Sequence, residues 1–274
     1  MTKESFDALD RLFHPRSVAV VGVSAKRKHP NRIFLDAITH LGFQGPVYAV
    51  NPGGEALEEY ETYRNLQDVP GPVDHVIVAV PSGAVMSVLE DCAAKEVKSV
   101  TVFSSGFSES GSTEGEARET SLRKWIKNQP FRLIGPNCMG IYCPKTGLGF
   151  RKDLPSEPGG IGMVSQSGGM TITGVLLGGA KGLRFSKAVS YGNETDLSSS
   201  ELLRYLAHDP ETDLVCAYVE GIDSGSGLIQ AMEEVTSNKP LLILKGGASE
   251  SGKRAAASHT GSMAGASGVR GSFF

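Results

Sequence analysis

The sequence predicts an α/β protein with two doubly wound parallel-sheet domains. Short, continuously apolar runs alternate with amphipathic stretches of helical length along most of the 274 residues. Strands of this composition are buried on both faces, which is typical of parallel sheets covered by helices on each side. A Pro- and Gly-rich stretch at 154–160 interrupts the alternation, which then restarts. We therefore expect one domain over residues 1–150 and a second over residues 151–274.

The elements of the first domain follow from this alternation. Its predicted strands lie at 17–22, 46–50, 75–80, 99–103 and 131–134. The helical patterns between them cover about 31–41, 82–95 and 113–128. Strands separated by helices in this way pair in parallel within one sheet.

The second domain repeats the pattern. Its predicted strands lie at 162–164, 185–189, 214–219 and 241–244. Helices are expected near 169–181, 197–207 and 226–237. Residues 265–274 show neither period, although the sheet would gain from another covering helix after Leu244. A truncated or altered end and a disordered terminus explain this stretch equally well.

Composition excludes several classes of function. Hydrophobic residues make up 40% and charged residues 21%, which is ordinary for a globular protein. The net charge of -3 gives no electrostatic basis for binding nucleic acid or an anionic membrane. No apolar run approaches the roughly 20 residues that span a bilayer, and the polar start does not resemble a signal peptide. No C-x-x-C spacing occurs, so we expect a cytoplasmic protein with free thiols at Cys92, Cys138, Cys143 and Cys216.

The turn after the first strand favours a phosphate-bearing ligand that is not a dinucleotide. A dinucleotide fold would carry G-x-G-x-x-G in this turn and an acidic residue after the second strand. This turn has only Gly22, and the second strand is followed by Asn51 and Pro52. Cations instead lie near the N-terminus of the next helix, where they favour phosphate: Lys26, Arg27, Lys28 and Arg32. A solvated charge run is the alternative interpretation.

Other strand ends face the same crevice, because ligands of doubly wound sheets bind beyond the carboxyl ends of the strands. Each of these segments alone is an ordinary turn between a strand and a helix. Together they give the candidate cofactor-binding residues Gly22, Ser24, Lys26, Arg27, Arg32, Asn51, Pro52, Val80, Pro81, Ser104, Ser105, Gly106, Asn137 and Cys138.

His259 is the candidate nucleophile of the second domain. The segment 245–258 before it is rich in small and cationic residues, and glycines follow it. Neutral imidazole is a competent nucleophile that forms covalent intermediates. An exposed loop histidine without a role is the alternative.

The end of the first strand of this domain is the candidate phosphate site. Ser165, Gln166, Ser167 and Gly168 lead from a strand directly into a helix, so backbone N–H groups and the positive helix end face outward. Capping of the helix by Ser167 is compatible with this role. Glu220 ends another apolar strand, where a carboxylate needs a partner. That partner is either the imidazole of His259 or, alternatively, a helix dipole or Lys245.

These segments together resemble the α-subunit module of succinyl-CoA synthetase and, more closely, the ADP-forming acyl-CoA (acetyl-CoA) synthetases. The similarity covers almost the whole chain to about residue 265 and is specific because its segments fall in family order. They are 17–24, 50–52, 135–140, 164–168, 190–197, 218–222 and 245–265.

The resemblance implies a Rossmann-like CoA-binding domain followed by a flavodoxin-like domain. The implied reaction interconverts acyl-CoA, phosphate and ADP with a carboxylic acid, CoA and ATP, through an acyl phosphate and a phosphohistidine. His259 occupies the phosphohistidine position, Glu220 that of the carboxylate orienting it, and 165–168 that of the phosphoryl-binding helix terminus. Asn137 and Cys138 would lie near the CoA thiol, although a buried structural thiol explains Cys138 equally well.

This sequence departs from the family in two respects. The family commonly has a basic residue after the Pro at the end of the second strand, where Gly53 and Gly54 follow here. The chain also contains no ATP-grasp region, so ATP or ADP and Mg²⁺ are expected on a partner β-type domain or subunit. No metal site is expected within the chain itself.

Two other functions stay open at this point. A non-catalytic CoA-binding regulatory module would not need His259 or Glu220. An NAD(P)-binding oxidoreductase is disfavoured by the missing glycine pattern and acidic residue. The expected small-molecule partner is a carboxylic acid or its acyl-CoA, of unspecified identity, and homo-oligomerisation is left open.

Overall fold

Two sheets form the frame of the protein. The computed structural model describes residues 1–24, 32–57, 59–221 and 225–247. The strands of the first sheet are β1 (Val18–Val21), β2 (Val47–Val50), β3 (Thr62–Tyr63), β4 (His75–Val78), β5 (Ser99–Val102) and β6 (Arg132–Ile134). They are all parallel, in the order β3-β2-β1-β4-β5-β6. The helices connecting them are α2 (Ile33–His40), α3 (Val85–Ala94) and α4 (Thr113–Ile126).

The second sheet is mostly parallel. Its strands are β7 (Gly140–Tyr142), β8 (Ile161–Ser165), β9 (Phe185–Ser190), β10 (Leu214–Val219) and β11 (Leu241–Lys245). Their order is β11-β10-β8-β9-β7. The helices are α5 (Gly168–Ala180), α6 (Ser199–His208) and α7 (Gly225–Thr236). The predicted fold class, two doubly wound α/β sheets, is therefore confirmed.

One strand corrects the expectation of a fully parallel second sheet. β7 is an edge strand and pairs antiparallel with β9, through Gly140 with Ser190 and Tyr142 with Ala188. Its Gly-Ile-Tyr sequence is too short to show a period, so only the three-dimensional pairing identifies it. β7 precedes the Pro- and Gly-rich stretch, so the chain enters the second sheet early. We retain a division near residue 150 as a proposal.

A helix before the first strand, α1 (Lys3–Phe13), is not among the predicted elements. Thr2 caps it by accepting a hydrogen bond from the backbone N–H of Ser5 at 3.2 Å. Its apolar side packs on α6, where Tyr205 stacks between Phe6 and Phe13 with centroid distances of 5.0 and 4.9 Å. The first helix of the chain thus packs against the second sheet's layer. Within the described ranges, no helix is long and apolar enough to cross a bilayer.

A backbone seam joins the two sheets. The segment after β9 runs beside the end of β6, with Asn193 N donating to Pro136 O at 3.0 Å and Leu197 N donating to Leu133 O at 3.1 Å. Asp196 accepts the N–H of Leu133 at 2.7 Å. This seam holds the carboxyl ends of the two sheets side by side.

Candidate functional site

A cavity of about 330 Å³ lies between the carboxyl ends of the two sheets. Its walls come from both halves of the molecule, as expected of a crevice beyond strand ends. The first half contributes Phe103, Ser108, Glu119, Arg123, Asn137, Cys138 and Met139. The second contributes Gln166, Ser167, Gly168, Gly169, Ile172, Gly192, Asn193 and Glu194.

The N-terminus of α5 forms one end of this cavity. Ser167 caps the helix, its hydroxyl accepting the N–H of Met170 at 3.4 Å. The N–H groups of Gly168 and Gly169 have no acceptor among the described residues. Unpaired N–H groups and the positive helix end together favour an anion. A Cβ on Gly168 would lie 2.8 Å from Met139 Cγ, so glycine allows the helix to start against the cavity wall.

The side-chain oxygens of two candidate phosphate residues bond to backbone groups. Ser165 is fully buried, and its hydroxyl donates to the carbonyl of Ser167 at 2.8 Å. Gln166 Oε1 accepts from the N–H groups of Glu220 and Gly221 at 2.9 and 3.0 Å. The phosphate-binding role of these two residues stays a prediction. Gln166 ties the turn before α5 to the segment carrying Glu220.

Glu220 is buried at the end of β10. The side chain is 4% exposed, and Oε2 has no hydrogen-bond partner among the described residues. Burial, followed by the charge and hydrogen bond of Glu220, raises the pKa of Tyr218 to about 12. The ammonium of Lys245 donates to the backbone carbonyls of Val219, Glu220 and Gly246. Glu220 Oε2 is thus available to accept a hydrogen bond from a donor outside the described residues.

The candidate cofactor residues that the structure describes line the carboxyl edge of the first sheet. Gly22 has φ of 95°, and a Cβ there would lie 2.5 Å from the carbonyl oxygen of Ala79. Glycine is therefore required for β1 and β4 to end this close together. The side chain of Asn51 closes its own turn, accepting from Gly53 N at 3.0 Å and donating to Glu55 O at 3.1 Å. The remaining members sit at this edge as expected: Ser24, Pro52, Val80, Pro81, Ser104, Ser105 and Gly106.

The arginines near this edge are used differently from the sequence-based expectation. Arg32 is 5% exposed and donates to Glu59 at 2.8 Å, so its guanidinium is already paired. Arg64, which follows β3, was missed because its contact depends on folding. A Cβ placed on Gly54 would lie 2.8 Å from Arg64 Nε. An exposed cation therefore lies against the turn where the sequence has no basic residue.

Asn137 and Cys138 lie at the junction of the crevice and the cavity. Asn137 has φ of 59°, and its N–H donates to Ser104 O at 3.0 Å. The thiol of Cys138 is buried and donates to the carbonyls of Val102 and Ile134 at 3.4 and 3.7 Å. Burial raises the pKa of this thiol. The geometry fits a structural thiol, while Asn137 keeps its side chain at the cavity.

Three predicted site residues lie outside the described residues: Lys26, Arg27 and His259. Their roles stay predictions from the sequence.

Comparison with known proteins identifies the two halves. A model for a CoA binding domain matches residues 16–144, and a model for a succinyl-CoA ligase like flavodoxin domain matches residues 158–274. The two halves of the chain thus belong to the CoA binding and succinyl-CoA ligase like flavodoxin domain families, the pair implied by the resemblance to the α-subunit module of ADP-forming acyl-CoA synthetases. The resemblance inferred from the sequence segments is thereby confirmed.

Relatives of this family match nearly the whole chain. The α subunit of acetate–CoA ligase (ADP-forming) II from Pyrococcus furiosus is 38% identical over 258 residues, covering 94% of this chain and 56% of that protein. The 4-hydroxybutyrate–CoA ligase (ADP-forming) of Nitrosopumilus maritimus is 33% identical over 260 residues, covering 93% and 37%. The chain therefore spans about half, or less, of the length of these relatives.

A solved structure of the family has the same fold. It is a Ca. Korarchaeum cryptofilum dinucleotide forming acetyl-coenzyme A synthetase 1 in complex with phosphate and ADP. The TM-score is 0.87 at 35% identity, and the match covers 97% of this chain and 57% of that one. Both sheets of this chain are included in the similarity.

Proposed function

We propose that this chain is the CoA-binding and phosphoryl-accepting part of an ADP-forming acyl-CoA synthetase. The complete enzyme would interconvert acyl-CoA, phosphate and ADP with a carboxylic acid, CoA and ATP. The observation that carries the proposal is the cavity between a CoA binding domain and a succinyl-CoA ligase like domain. It brings a helix N-terminus and strand ends of the CoA binding domain to one place. Gln166, in the cavity wall, bonds to the backbone of the segment that carries Glu220.

The residues of the first sheet fit a long ligand bearing phosphates. Gly22 allows backbone approach at the point between β1 and β4 where the strand order reverses, which is where doubly wound sheets bind ligands. Arg64 supplies an exposed cation near the end of β2. We assign the adenosine and phosphate half of CoA to this edge and its thiol end to the cavity by Asn137.

The second sheet would carry the phosphoryl steps. Phosphate attacks the thioester carbonyl, the C–S bond breaks, and CoA leaves as thiolate while an acyl phosphate forms. A ring nitrogen of His259 then attacks phosphorus, and the P–O bond breaks to release the carboxylate. Donor groups at α5 stabilise the phosphoryl oxygens, and Glu220 Oε2 would accept the other ring N–H of His259. Transfer from phosphohistidine to ADP needs an ATP-grasp partner, which also supplies Mg²⁺.

Two measurements test this proposal. Titration calorimetry should show CoA binding more tightly than NAD, and the reverse order would exclude the CoA assignment. The purified chain should also lack synthesis of acyl-CoA from ATP, acid and CoA until an ATP-grasp partner is added. CoA binding without any phosphoryl labelling by acyl phosphate would instead indicate a non-catalytic CoA-binding module.

A further inference from the structure

Asn193 bridges the two halves of the protein through its side chain. It follows β9, on the second sheet, and its Nδ2 donates to Glu109 Oε2 at 2.5 Å and to Glu119 Oε2 at 2.8 Å. Both glutamates belong to the first half, Glu119 in α4 and Glu109 in the short 3-10 helix Ser108–Ser110 before it. A primary amide has two N–H donors, so these two carboxylates use both of them.

The two carboxylates are themselves held in place. Glu109 Oε1 accepts the N–H groups of Gly106 and Phe107 at 2.6 and 3.2 Å. Glu119 Oε1 accepts from Arg123 at 3.1 Å, and its Oε2 accepts the hydroxyl of Ser108 at 2.5 Å. These bonds fix the position of both acceptors before Asn193 meets them. An ionised carboxylate can only accept, so the amide of Asn193 has one favourable orientation here.

The orientation of the Asn193 amide fixes the orientation of the Asn137 side chain. With Nδ2 of Asn193 directed at the carboxylates, its Oδ1 accepts from Asn137 Nδ2 at 3.3 Å. Asn137 therefore offers its own Oδ1, which has no partner among the described residues, as an acceptor at the cavity. Glu119, Asn137 and Asn193 all line that cavity.

We propose that Asn193 is a positioning residue that presents Asn137 Oδ1 to the pantetheine arm of CoA. The arm carries amide N–H groups and a thiol, and each of these is a hydrogen-bond donor that an amide oxygen accepts. Glu109 and Glu119 act on Asn137 through Asn193. This inference rests on the proposed function, because it assumes that CoA extends into the cavity.

The test measures the affinity of Asn193 and Glu109 variants for CoA and for the adenosine bisphosphate half of CoA. Asn193→Asp keeps an acceptor for Asn137 but replaces both donors with an oxygen facing two carboxylates. We expect CoA affinity to fall about tenfold, the loss of one positioned hydrogen bond. Affinity for the adenosine bisphosphate half of CoA, which lacks the pantetheine arm, should stay unchanged. Both are measured by titration calorimetry on the full chain.

The double variant Asn193→Asp with Glu109→Gln exchanges the donor and the acceptor of the hydrogen bond between these two side chains. Its glutamine keeps an oxygen for Gly106 and Phe107 and donates from Nε2 to the new aspartate, so much of the CoA affinity should return. Asn128→Asp, at an exposed position after α4, is the matched control and should bind like the wild type.

Asn137→Gly removes the acceptor directly, and glycine suits the φ of 59° there. It should reproduce the selective loss of CoA affinity even if Asn193→Asp folds poorly.

Different outcomes separate the two proposals. If the wild-type chain binds no CoA, the proposed function fails, and this inference fails with it. If the wild type binds CoA and Asn137→Gly binds equally well, only the positioning role is excluded. Equal weakening of CoA and of adenosine bisphosphate in Asn193→Asp and Asn137→Gly would also exclude it, since the effect would then be general.

Discussion

The buried carboxylate of Glu220 has one oxygen without a partner among the described residues. Burying a charge without hydrogen bonds costs several kcal/mol, so proteins keep such a group where it meets a partner during function. Gln166 holds the backbone on either side of this residue, through Glu220 N and Gly221 N. The carboxylate is thus fixed while its Oε2 is available, as an orienting partner for an imidazole requires.

Phosphoryl labelling tests this assignment. His259→Ala should abolish acid-labile phosphorylation of the chain by acyl phosphate, because the nucleophile is gone. Glu220→Gln keeps the shape but loses the charge that stabilises an imidazolium, so labelling should slow by about 10²- to 10⁴-fold. CoA affinity should change in neither variant. Phosphate label that persists in His259→Ala would contradict the mechanism.

Arg64 gives a second prediction about a single side chain. It lies exposed beside Gly54, where a phosphate of CoA would meet it. Arg64→Ala should weaken CoA and its adenosine bisphosphate half alike, by about 3- to 10-fold, since one partly exposed charged contact is lost. Arg64→Lys should recover part of the affinity, and the deficit should shrink at high salt. Arg151→Ala, which removes a surface pair with Asp153, is the control; an equal loss there would argue against a specific phosphate contact.

Among the elements, α5 has the closest relation to the cavity. Gly168→Ala places a methyl group against Met139 Cγ, at 2.8 Å, and should displace that side chain into the cavity. We expect labelling by acyl phosphate to fall about tenfold because the phosphoryl position is disturbed, with no loss of thermal stability. Gly169→Ala is a close control, since a Cβ there meets only Ser167 Oγ at 3.8 Å. Labelling that falls equally in both variants would indicate a general effect on the helix.

The elements also show what local patterns predict. The strands and helices with a clear apolar period were predicted close to their observed bounds, as was the start of α5 after Ser167. β3 and β7 were missed because each is short and no α-helix separates it from the strand before it, so the alternation that revealed the equally short β6 does not mark them. The apolar residues of α1 do have helical spacing at Phe6, Leu9 and Phe13, so a signal for it exists.

The candidate site was only partly predictable for a related reason. The strand ends and the helix terminus follow from order along the chain. The contact between Asn193 and Glu109 joins residues 84 positions apart, and that between Arg64 and Gly54 depends on how β3 is placed. Neither contact has a local signature. Folding also directs the polar groups of Ser165 and Arg32 to Ser167 and Glu59, which the sequence alone does not show.

For the whole molecule, a buried ion cluster ties α1 to the second sheet. Lys187 in β9 is fully buried, with Nζ 2.9 Å from Asp209 Oδ2 and in contact with Glu211. The same ammonium lies 5.7 Å from the ring centre of Phe13 and 6.0 Å from that of Tyr205. Burial lowers the pKa of Lys187, but the hydrogen bonds that its ammonium donates to Glu211 and Asp209 outweigh burial, so the pKa is raised.

Replacing this lysine should destabilise the protein as a whole. Lys187→Met leaves the buried Asp209 without its cation, so the free energy of unfolding should fall by about 3–5 kcal/mol. Urea denaturation measures it, and Lys187→Met with Asp209→Asn should recover part of the loss. CoA affinity of the folded fraction should be unchanged, because the cluster lies away from the cavity. If Lys187→Met lowers the free energy of unfolding less than the double variant does, Asp209 does not depend on Lys187 for its charge balance.

The order of strands in the first sheet sets the distance between the reversal point and the cavity. The strand order reverses between β1 and β4, and the cavity opens beyond β6, with β4 and β5 between them. The point midway between β1 and β4 lies two and a half strand spacings from β6. At about 4.8 Å per spacing, the two places are roughly 12 Å apart. A ligand that uses both must be long and narrow, with its charge at one end and its reactive atom at the other. Under the proposed function, the sheet would select its ligand by length as well as by charge, and a compact nucleotide held at the reversal point would leave the cavity unused.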